Sequence, residues 1–392
     1  MSTEFKIIDL EQNFEFEENF PKRYVAPAHL HAFFKSNYYK IDWAEIGKSV
    51  LGRPIYKLTL GSGSKNALLW TQMHGNETTG TLSILDLLKF FRSGHVVAQT
   101  ILNEFTLDII PMLNPDGAEL WTRRNAMSID INRDFLATSS LEMRVLRGII
   151  TKKRYDLGFN LHDQRTIFGV GNLKQPATLA FLSPSESENK EVTQTRKKSM
   201  GLIADIYREI SQILPDKIAR FSDEFYPCSV GDNLQKLGIP TLLFEGGHYP
   251  KDYYRRKTRK YFSLALLAAL YYASTKENWQ NGWENYFEIP ENSVSFYDII
   301  YRNVQLSDDE KDTIDIAVQY AEQIRMGDEE ITFVAKIEDI GDLSFLHGHE
   351  EIDARNRRFF SEETQFPKIG MQADFQLDEW FIVNGKKLEN WG

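Results

Sequence analysis

The sequence predicts an α/β fold with a mixed central sheet flanked by helices, followed by a small C-terminal β-rich domain. Apolar strand-like runs alternate with helical patterns through most of the 392-residue chain. This alternation is typical of a mostly parallel or mixed sheet. Near Asn278 the pattern changes to short strands. We therefore expect an N-terminal lead-in over residues 1–40, a large domain over 41–278 and a β-rich domain over 290–392.

Buried strands and amphipathic helices alternate along the predicted large domain. The run Ala67–Gln72 is nearly all apolar, as expected of a strand buried on both faces. Apolar residues recur every three positions from Leu82 to Phe91, which is the spacing of one helix face. The residues up to about Tyr39 show neither pattern and are expected to be irregular. By these criteria, strands are predicted at Ile55–Leu60, Ala67–Gln72, Phe105–Pro111, Tyr155–Leu161 and Pro240–Phe244, and helices at Leu82–Phe91, Leu141–Arg154, Lys197–Leu214 and Asp252–Ala273.

The C-terminal region has short strand patterns without intervening helices. Strands are predicted at Phe296–Leu306, Ile331–Ile337 and Trp380–Val383. The last strand runs into Asn384-Gly385, a pair that favours a tight hairpin turn. The stretch Asp308–Gln323 fits either a helix or a pair of acidic strands, and its pattern leaves both open.

Composition narrows the classes of function. The net charge is -10, with basic residues interspersed among acidic ones, so no nucleic-acid-binding surface is expected. The one cysteine, Cys228, cannot form a disulfide within the chain or build a cysteine-rich zinc site. The longest apolar run, Phe262–Tyr272, is shorter than the ~20 residues of a membrane span. With no signal-peptide pattern at the N-terminus, we expect a cytoplasmic protein without membrane partners; its oligomeric state is left open.

Two separate stretches carry metal-ligand side chains at points where strands end. His74 and Glu77 follow the strand Ala67–Gln72 within one turn, and His162 follows the apolar residues 158–161. Imidazole nitrogen and carboxylate oxygen are common zinc ligands in sites that keep one position for water. Because open α/β sheets bind ligands at the carboxyl ends of their strands, these side chains are expected at one edge. Taken singly, each histidine could equally be a hydrogen-bonded core or surface group, since the HxxE pattern is short.

Six short motifs in a fixed order resemble the zinc carboxypeptidase family, the carboxypeptidase A-like M14 metallopeptidases. They are HGNE (74–77), NPDG (114–117), RRNA (123–126), DINRDF (130–135), NLHD (160–163) and LLFEGG (242–247). The resemblance covers roughly Ile41–Ala273 and leaves out the C-terminal region. It implies the fold of the zinc carboxypeptidases for the large domain.

The resemblance implies a zinc ion, Zn2+, and a catalytic carboxylate. His74, Glu77 and His162 match the family's zinc ligands. The ion would lower the pKa of a bound water and polarise the scissile carbonyl. Glu245 matches the general acid/base glutamate, which takes a proton from the water and passes it to the leaving amine.

The same resemblance implies a set of substrate-binding residues. Arg123 matches the arginine that stabilises the tetrahedral oxyanion, although its neighbour Arg124 could be confused with it. Asn132 and Arg133 match the pair that grips the terminal carboxylate of the substrate, for which the planar guanidinium is suited. Tyr226 is the candidate for the mobile tyrosine that closes on the substrate. Its rivals, since tyrosines are plentiful, are Tyr249 and Tyr253.

Several positions leave the substrate open. Asn76 stands where digestive members of the family carry an arginine, and Asp134 stands where asparagine is frequent. A side-chain pocket is expected near residues 230–232. There Asp232 could select a basic or amino-bearing residue such as diaminopimelate, although a role in capping the following helix is the favoured interpretation.

Two further groups of residues are weighed for metal chemistry. If His74 and His162 bind zinc, each needs a hydrogen-bond partner for its second ring nitrogen. Asp108 and Asp163 are both candidates, and the sequence alone leaves both open. The stretch His347–Glu350 in the β-rich region contains two histidines and a glutamate, but it is interpreted mainly as surface.

The sequence thus favours a cytoplasmic zinc metallocarboxypeptidase. Its substrate would be a peptide or amide with a free terminal carboxylate, hydrolysed at the C-terminal amide bond by a zinc-activated water. One alternative is an N-acyl amino acid deacylase of the succinylglutamate desuccinylase/aspartoacylase type, where related motifs occur. An alternative of another class is an inactive binding or scaffold protein on the same fold.

Overall fold

The structure, a computed structural model, describes residues 5–36, 40–307, 313–325 and 327–388. The chain divides into two compact units. The larger consists of Met1–Gln164 and Ala177–Asn292, and the smaller of Arg165–Pro176 and Ser293–Gly392. The segment 165–176 therefore groups with the C-terminal region, although it lies inside the predicted large domain.

A mixed sheet forms the centre of the larger unit. Within the described residues it has eight strands in the order β1-β2-β4-β3-β5-β9-β7-β8. The central pairs β4–β3, β3–β5 and β5–β9 are parallel, so these strands place their carboxyl ends at one edge. The strand bounds are β1 (Asp42–Lys48), β2 (Pro54–Leu60), β3 (Lys65–Thr71), β4 (Phe105–Ile110), β5 (Leu157–Asp163), β6 (Phe168–Val170, in the smaller unit), β7 (Leu179–Leu182), β8 (Ile218–Arg220) and β9 (Thr241–Gly246).

The helices of the larger unit begin at clear sequence signals. Ser140, Thr193 and Ser229 each accept a hydrogen bond from a backbone N–H in the first turn of the helix that follows. Such caps satisfy donors that have no partner inside the helix. The helix bounds are α1 (Ile7–Gln12), α2 (Pro27–Lys35), α3 (Thr79–Arg92), α4 (Val96–Glu104), α5 (Pro115–Glu119), α6 (Leu141–Lys152), α7 (Gln194–Ile210), α8 (Val230–Lys236) and α9 (Arg256–Thr275).

The sheet is buried on both faces by two separate apolar clusters. Alternate residues of β3 divide between them: Ala67 and Leu69 pack in the first cluster with α3, α7 and α9. Leu68 and Trp70 pack in the second cluster with α6 and α8. Since successive side chains of a strand point to opposite faces, this division follows directly from the unbroken apolar run. The second face continues toward the carboxyl ends of the strands, where the polar motifs begin.

The N-terminal lead-in is more ordered than the sequence predicts. It contains helices α1 and α2, and Phe20, Val25 and Leu30 are buried in the first cluster. Helices of six and nine residues are marginal in isolation, so packing on the sheet stabilises them rather than their own pattern. A local signal did exist, because Pro27 at the first position of α2 is typical of a helix start.

The smaller unit is built from strands, as predicted, but β11, β12 and β13 have 10, 11 and 10 residues and are not short. In its described residues, one sheet has the order β13-β12-β11-β14 and another the order β15-β16-β17-β18, while β10 pairs with β6. The bounds are β10 (Asn292–Val294), β11 (Phe296–Gln305), β12 (Thr313–Gln323), β13 (Thr332–Gly341), β14 (His347–Asp353), β15 (Phe359–Phe360), β16 (Phe375–Leu377), β17 (Trp380–Val383) and β18 (Lys386–Lys387). These sheets, with the mixed sheet of the larger unit, confirm the predicted fold class.

Two local predictions in the smaller unit can be compared with its strands. The ambiguous stretch Asp308–Gln323 contains strand β12, whereas residues 308–312 lie outside the described residues. The hairpin at Asn384-Gly385 is confirmed, since both residues have positive φ, 48° and 72°. That is the conformation a two-residue turn of this type requires. Across the part of the chain that is described, no helix is long and apolar enough to cross a membrane.

Candidate metal centre

Three buried side chains converge at the carboxyl edge of the mixed sheet. His74 lies in the turn after β3, Glu77 lies just before α3, and His162 lies near the end of β5. Their ligand atoms all lie within 4.8 Å of one another. The Nδ1 atom of His74 is 2.9 Å from Oε1 of Glu77, and Nδ1 of His162 is 2.8 Å from Oε2. Two nitrogens and one carboxylate thus face a common point.

The hydrogen bonds of His74 determine which of its nitrogens can bind a cation. Its Nε2 is 3.0 Å from Oδ1 of Asp130. A carboxylate accepts, so Nε2 carries the proton and Nδ1 keeps a lone pair directed at the cluster. Oδ1 of Asp130 also accepts from the backbone N–H of Asn132, which fixes its position. Asp130 therefore orients His74 so that Nδ1 faces the cluster.

The charge state of the cluster suits a divalent cation. Burial tends to raise the pKa of Glu77, but the adjacent imidazoles hold that pKa well below its ordinary value, so the carboxylate is ionised. The pKa of His162 is lowered, chiefly by burial, which favours the neutral ligand form. Nε2 of His162 has no hydrogen-bond partner among the described residues. Burial lowers the pKa of His74, but Glu77 and Asp130 together raise it above its ordinary value. Two imidazoles and one carboxylate are a donor set that zinc favours, so these residues fit that ion.

Glu245 lies beside the cluster on the neighbouring strand. In the parallel β5–β9 pair it is the register partner of His162, so both side chains emerge from the same face of the sheet. Its Oε2 is buried and makes no hydrogen bond to any described residue. Burial, reinforced by the negative charges of Glu77 and Asp163, raises the pKa of Glu245 well above its ordinary value. A carboxyl group in this state has a high proton affinity.

The two adjacent arginines of the loop have different surroundings. The Nε atom of Arg123 donates to Asp130, and its Nη1 lies 3.4 Å from Oε1 of Glu77. Its side chain is 46% exposed, so it borders both the metal-ligand cluster and solvent. Arg124 instead donates to the backbone carbonyl of Ser128 within its own loop. Of the two, Arg123 is the one that contacts the cluster.

The candidate carboxylate-binding residues lie next to the start of helix α8. Oδ1 of Asn132 accepts from the backbone N–H of Val230, and Arg133 donates to the carbonyl of Asn132. The guanidinium carbon of Arg133 lies 4.3 Å from the ring centroid of Tyr226. Tyr226 is 41% exposed and its hydroxyl donates to Glu224. Arg133 is also exposed, so the two side chains form a cation–π pair at the surface.

The rival tyrosines have other neighbours. The ring of Tyr249 stacks on that of Tyr261 at 5.9 Å, and the ring of Tyr253 lies 4.8 Å from that of His248. The capping interpretation of Asp232 is wrong, because this residue lies inside helix α8. Ser229 caps helix α8, while Asp232 accepts from the backbone N–H of Tyr226 and so holds the preceding loop.

The expected partners of the zinc histidines need correction. Asp108 accepts hydrogen bonds from Lys57, Lys153 and Tyr155, away from both histidines. The backbone N–H of Asp163 donates to Oε2 of Glu77, so this residue supports the carboxylate ligand instead. Asp130, the partner of His74, was missed, although it opens the DINRDF motif and that position could have indicated it.

A buried arginine beside the centre was also missed. Arg255 has a left-handed backbone, with φ of 57°, which is uncommon for a residue with a side chain. Its guanidinium donates to the carbonyl of Gly246, the residue after Glu245. It also donates to the carbonyl of Gln164, two residues after His162. It lies 3.5 Å from Asp163. Nothing in its local sequence, DYYRRK, distinguishes it from a surface arginine.

The second histidine-rich stretch makes different contacts. His349 bonds through Nε2 to the backbone carbonyl of Thr166 and stacks on Phe296 with ring centroids 4.9 Å apart. Among the described side chains, the group formed by His74, Glu77 and His162 is the one set of three or more that could share an ion. His349 instead contributes to packing in the smaller unit.

Replacing Asp130 by asparagine should weaken zinc binding about 10- to 100-fold without unfolding the protein. The amide can present its NH₂ group to Nε2 of His74 and so favour the wrong tautomer. The measurement is competition for zinc against a chelator of known affinity. Asp216→Asn is the matched control, because Asp216 is exposed and has a left-handed backbone that asparagine tolerates. Equal zinc affinity in the two variants would contradict the role of Asp130.

Comparisons with known proteins match the N-terminal part of this site, which includes His74, Glu77 and Arg123. Residues 38–145 match the family model described as zinc carboxypeptidase. Mouse (Mus musculus) cytosolic carboxypeptidase 6 is 28% identical over 146 residues, which are 35% of this chain and 27% of that protein. Arabidopsis thaliana carboxypeptidase SOL1 is 33% identical over 99 residues, 23% of this chain and 20% of that protein. The chain thus matches about a quarter or less of the length of these relatives.

Solved structures resemble a larger share of the chain. A metallo-carboxypeptidase from Burkholderia cenocepacia has a TM-score of 0.51 at 20% identity, covering 64% of this chain and 70% of its own. Thrombin activatable fibrinolysis inhibitor has a TM-score of 0.55 at 14% identity, covering 68% of this chain and 79% of its own. At such identities the likeness concerns the fold.

Proposed function

We propose that the chain belongs to the zinc carboxypeptidase family and that it is a zinc-dependent metallocarboxypeptidase. It would hydrolyse the C-terminal peptide or peptide-like amide bond of a substrate that has a free carboxylate. The observation that carries this proposal is the convergence of His74, Glu77 and His162 next to a buried Glu245 with an unpartnered oxygen. Metal-assisted amide hydrolysis needs a set of metal ligands and a nearby group that accepts a proton from water. These residues would supply both.

His74, Glu77 and His162 would hold the ion, which when bound lowers the pKa of water and polarises the scissile carbonyl. Glu245 would accept a proton from the attacking water through Oε2. Burial raises the pKa of Glu245 well above its ordinary value. A carboxylate with a raised pKa is a stronger base, so it takes a proton from water more readily. Glu245 would then deliver the proton to the nitrogen of the leaving amine, which departs as a neutral group.

Arg123 supplies positive charge next to the cluster. Its half-exposed guanidinium can turn from Asp130 and Glu77 toward a carbonyl oxygen on which negative charge develops. Its charge lies beside the cluster before the reaction, so a rotation of the side chain would bring it to the oxyanion. Arg123 would thus stabilise the tetrahedral oxyanion.

Arg133 and Asn132 would make the enzyme an exopeptidase. The guanidinium of Arg133 can form two parallel hydrogen bonds with a terminal carboxylate, which a residue inside a peptide does not have. The ring of Tyr226 lies 4.3 Å from this guanidinium, and a bound substrate would displace or tilt the ring. The distance between the carboxylate grip and the metal ligands would then fix which bond is cut.

The test is a panel of amides offered to protein loaded with one zinc ion per chain. We expect release of the last residue from peptides with a free C-terminus. Amidation of the same C-terminus should lower kcat/KM at least about 100-fold, because it removes the group that Arg133 binds. Hydrolysis of N-acyl amino acids alone would favour the deacylase. Full zinc loading without hydrolysis of any amide would favour the scaffold protein.

We also propose that the protein acts in the cytoplasm. Two of its relatives, in Mus musculus and Xenopus tropicalis, are named cytosolic carboxypeptidases. The single cysteine is compatible with a reducing compartment. Fractionation of cells that express the tagged full-length protein would test this location.

A further inference from the structure

Two neighbouring residues of the N-terminal lead-in, Arg23 and Tyr24, contact the loop that carries Arg123. The guanidinium carbon of Arg23 lies 5.5 Å from the ring centroid of Trp121. The ring of Tyr24 lies 6.1 Å from the ring of Trp121, and its hydroxyl donates to the backbone carbonyl of Glu119 at 3.3 Å. Arg23 and Trp121 are 3% and 5% exposed, so their contact is buried. The lead-in thus packs on the indole that stands two residues before Arg123.

Trp121 occupies a backbone position that glycine ordinarily fills. Its φ is 53°, in the left-handed region that bulky residues rarely adopt. Its N–H donates to the carbonyl of Ala118, and the N–H of Thr122 donates to that of Gly117. This is the hydrogen-bond pattern of a Schellman motif at the end of helix α5. Because a tryptophan is strained at this position, the packing of its side chain has to offset the cost, and the lead-in supplies that packing.

The turn at Trp121 determines the direction in which the chain leads to Arg123. The Nε atom of Arg123 donates to Asp130, and its Nη1 lies 3.4 Å from Oε1 of Glu77. An ion pair that is half-exposed orders a long side chain weakly, so the backbone of the loop has to place this arginine. A shift of the loop by about 1 Å would displace the guanidinium from the carbonyl oxygen on which charge develops.

Arg23 also connects this loop with the loop that follows strand β9. Its Nη1 donates to the backbone carbonyl of Tyr253 at 3.0 Å. Tyr253 stands two residues before Arg255, whose guanidinium donates to the carbonyl of Gly246 at the end of β9. One buried guanidinium from the lead-in therefore contacts both the loop after α5 and the loop after β9.

The core of the larger unit holds this part of the lead-in in place. The guanidinium of Arg259 on α9 donates to the carbonyls of Glu17 and Phe20. The N–H of Glu17 donates in turn to Asp86 on α3. The match to the zinc carboxypeptidase model begins at residue 38, after the whole of this segment. The contacts between the lead-in and the loop after α5 therefore do not follow from that match.

We propose that Arg23 is a positioning residue, which acts through Trp121 to hold Arg123 beside the metal-ligand cluster. Tyr24 supports the same indole. This inference rests on the proposed function, in which Arg123 stabilises the oxyanion. Because that interaction is made in the transition state and not with the bound substrate, loss of the contact with Trp121 should lower kcat and kcat/KM by the same factor.

The test replaces Arg23 by methionine, which keeps much of the length of the side chain but removes its charge and its hydrogen bond to Tyr253. With one zinc ion per chain, Arg23→Met should have a kcat about 10-fold below the wild-type value on a cleaved peptide, and a KM within about 2-fold of it. Arg154→Met, at an exposed position, is the matched control and should change neither constant. A kcat of Arg23→Met within about 2-fold of the wild-type value would overturn the inference.

A double-mutant cycle separates positioning from a general structural role. In the Arg123→Met background, which already lacks the guanidinium, Arg23→Met should lower kcat by less than about 2-fold, because residues that act as a unit are not additive. Equal losses in the two backgrounds would mean that Arg23 acts independently of Arg123, and the inference would be wrong. If Arg23→Met does not fold, Trp121→Phe serves in the same cycle, since it keeps an aromatic ring in the turn but shortens its reach.

Proteolysis tests the same contact without any measurement of activity. Trypsin cleaves after arginine, and the bonds after Arg123 and Arg124 lie in this loop. In Arg23→Met these bonds should be cut at least about 5-fold faster than in the wild-type protein, because cleavage follows local opening of the loop. Mass spectrometry identifies the fragments, and Arg154→Met should match the wild-type rate. An unchanged rate in Arg23→Met would overturn the inference, whereas failure of the wild-type protein to cleave any peptide would count against the proposed function alone.

Discussion

Replacement of Glu245 by glutamine is expected to lower kcat about 10³- to 10⁴-fold while zinc remains bound. The amide keeps the shape of the side chain but cannot take a proton from water, and general acid/base catalysis contributes a factor of this order. Zinc content should stay near one ion per chain, because Glu245 is not among the ligands His74, Glu77 and His162. Steady-state kinetics on a cleaved peptide, together with elemental analysis, provides both measurements.

The stability of Glu245→Gln gives an independent check. A buried carboxyl group with an unpartnered oxygen, close to Glu77 and Asp163, destabilises the fold. Its neutral amide should therefore leave the thermal midpoint unchanged or raise it. Glu188→Gln, at an exposed position, is the matched control and should change neither property. A kcat within about 10-fold of the wild-type value would contradict the assigned role.

Replacement of His162 by alanine is expected to abolish zinc retention and with it the activity, by at least about 10⁴-fold. Two protein ligands hold zinc far more weakly than three, because catalytic zinc sites ordinarily need three. The change also leaves Oε2 of Glu77 without the imidazole that lies 2.8 Å away. The measurement is zinc per chain after gel filtration in a weak chelator, followed by activity with and without added zinc.

A histidine outside the centre provides the control for this variant. His95 accepts the backbone N–H of Val97 at the start of α4, and asparagine is a favourable residue at that position. His95→Asn should therefore keep both its fold and its zinc. If His162→Ala still retains about one zinc per chain with wild-type activity, the ion is held by other residues and the proposed centre is wrong.

The strands that carry the site could be predicted because they are buried on both faces. Both faces of β3 are covered by apolar clusters, so Ala67–Trp70 is wholly apolar. The run Tyr155–Leu161 is mostly apolar and is interrupted by Asp156 and Asn160. Since polar residues follow these strands at their carboxyl ends, His74 and His162 were expected at one edge of the sheet. The role of Glu245 came from the resemblance to the zinc carboxypeptidases. The structure brings these three to adjacent strands and turns, as the parallel pairing requires.

Features that depend on tertiary packing could not be predicted. Helices α1 and α2 are short and form against the sheet, so their local sequence carries little signal. The grouping of residues 165–176 with the C-terminal unit rests on pairing between β6 and β10, which are distant in sequence. Arg255 bridges two strand ends from a left-handed position, and neither its backbone conformation nor its partners are encoded by neighbouring residues.

Residues with several possible roles were the hardest to assign from sequence. Asp108 and Asp130 are both acids near the motifs, but one pairs with lysines while the other orients His74. Asn160 opens the NLHD motif, but asparagine inside a strand indicates neither ligand binding nor catalysis by its type. That its amide is buried without a hydrogen-bond partner among the described residues is seen only in the packed structure.

The most direct test of the proposed centre is anomalous diffraction at the zinc absorption edge from crystals of the zinc-loaded protein. We expect one peak about 2.0–2.2 Å from Nδ1 of His74, Nδ1 of His162 and the carboxylate of Glu77, with Glu245 beside the remaining coordination position. A peak that does not contact these three residues, or crystals of active protein without any peak there, would contradict the account.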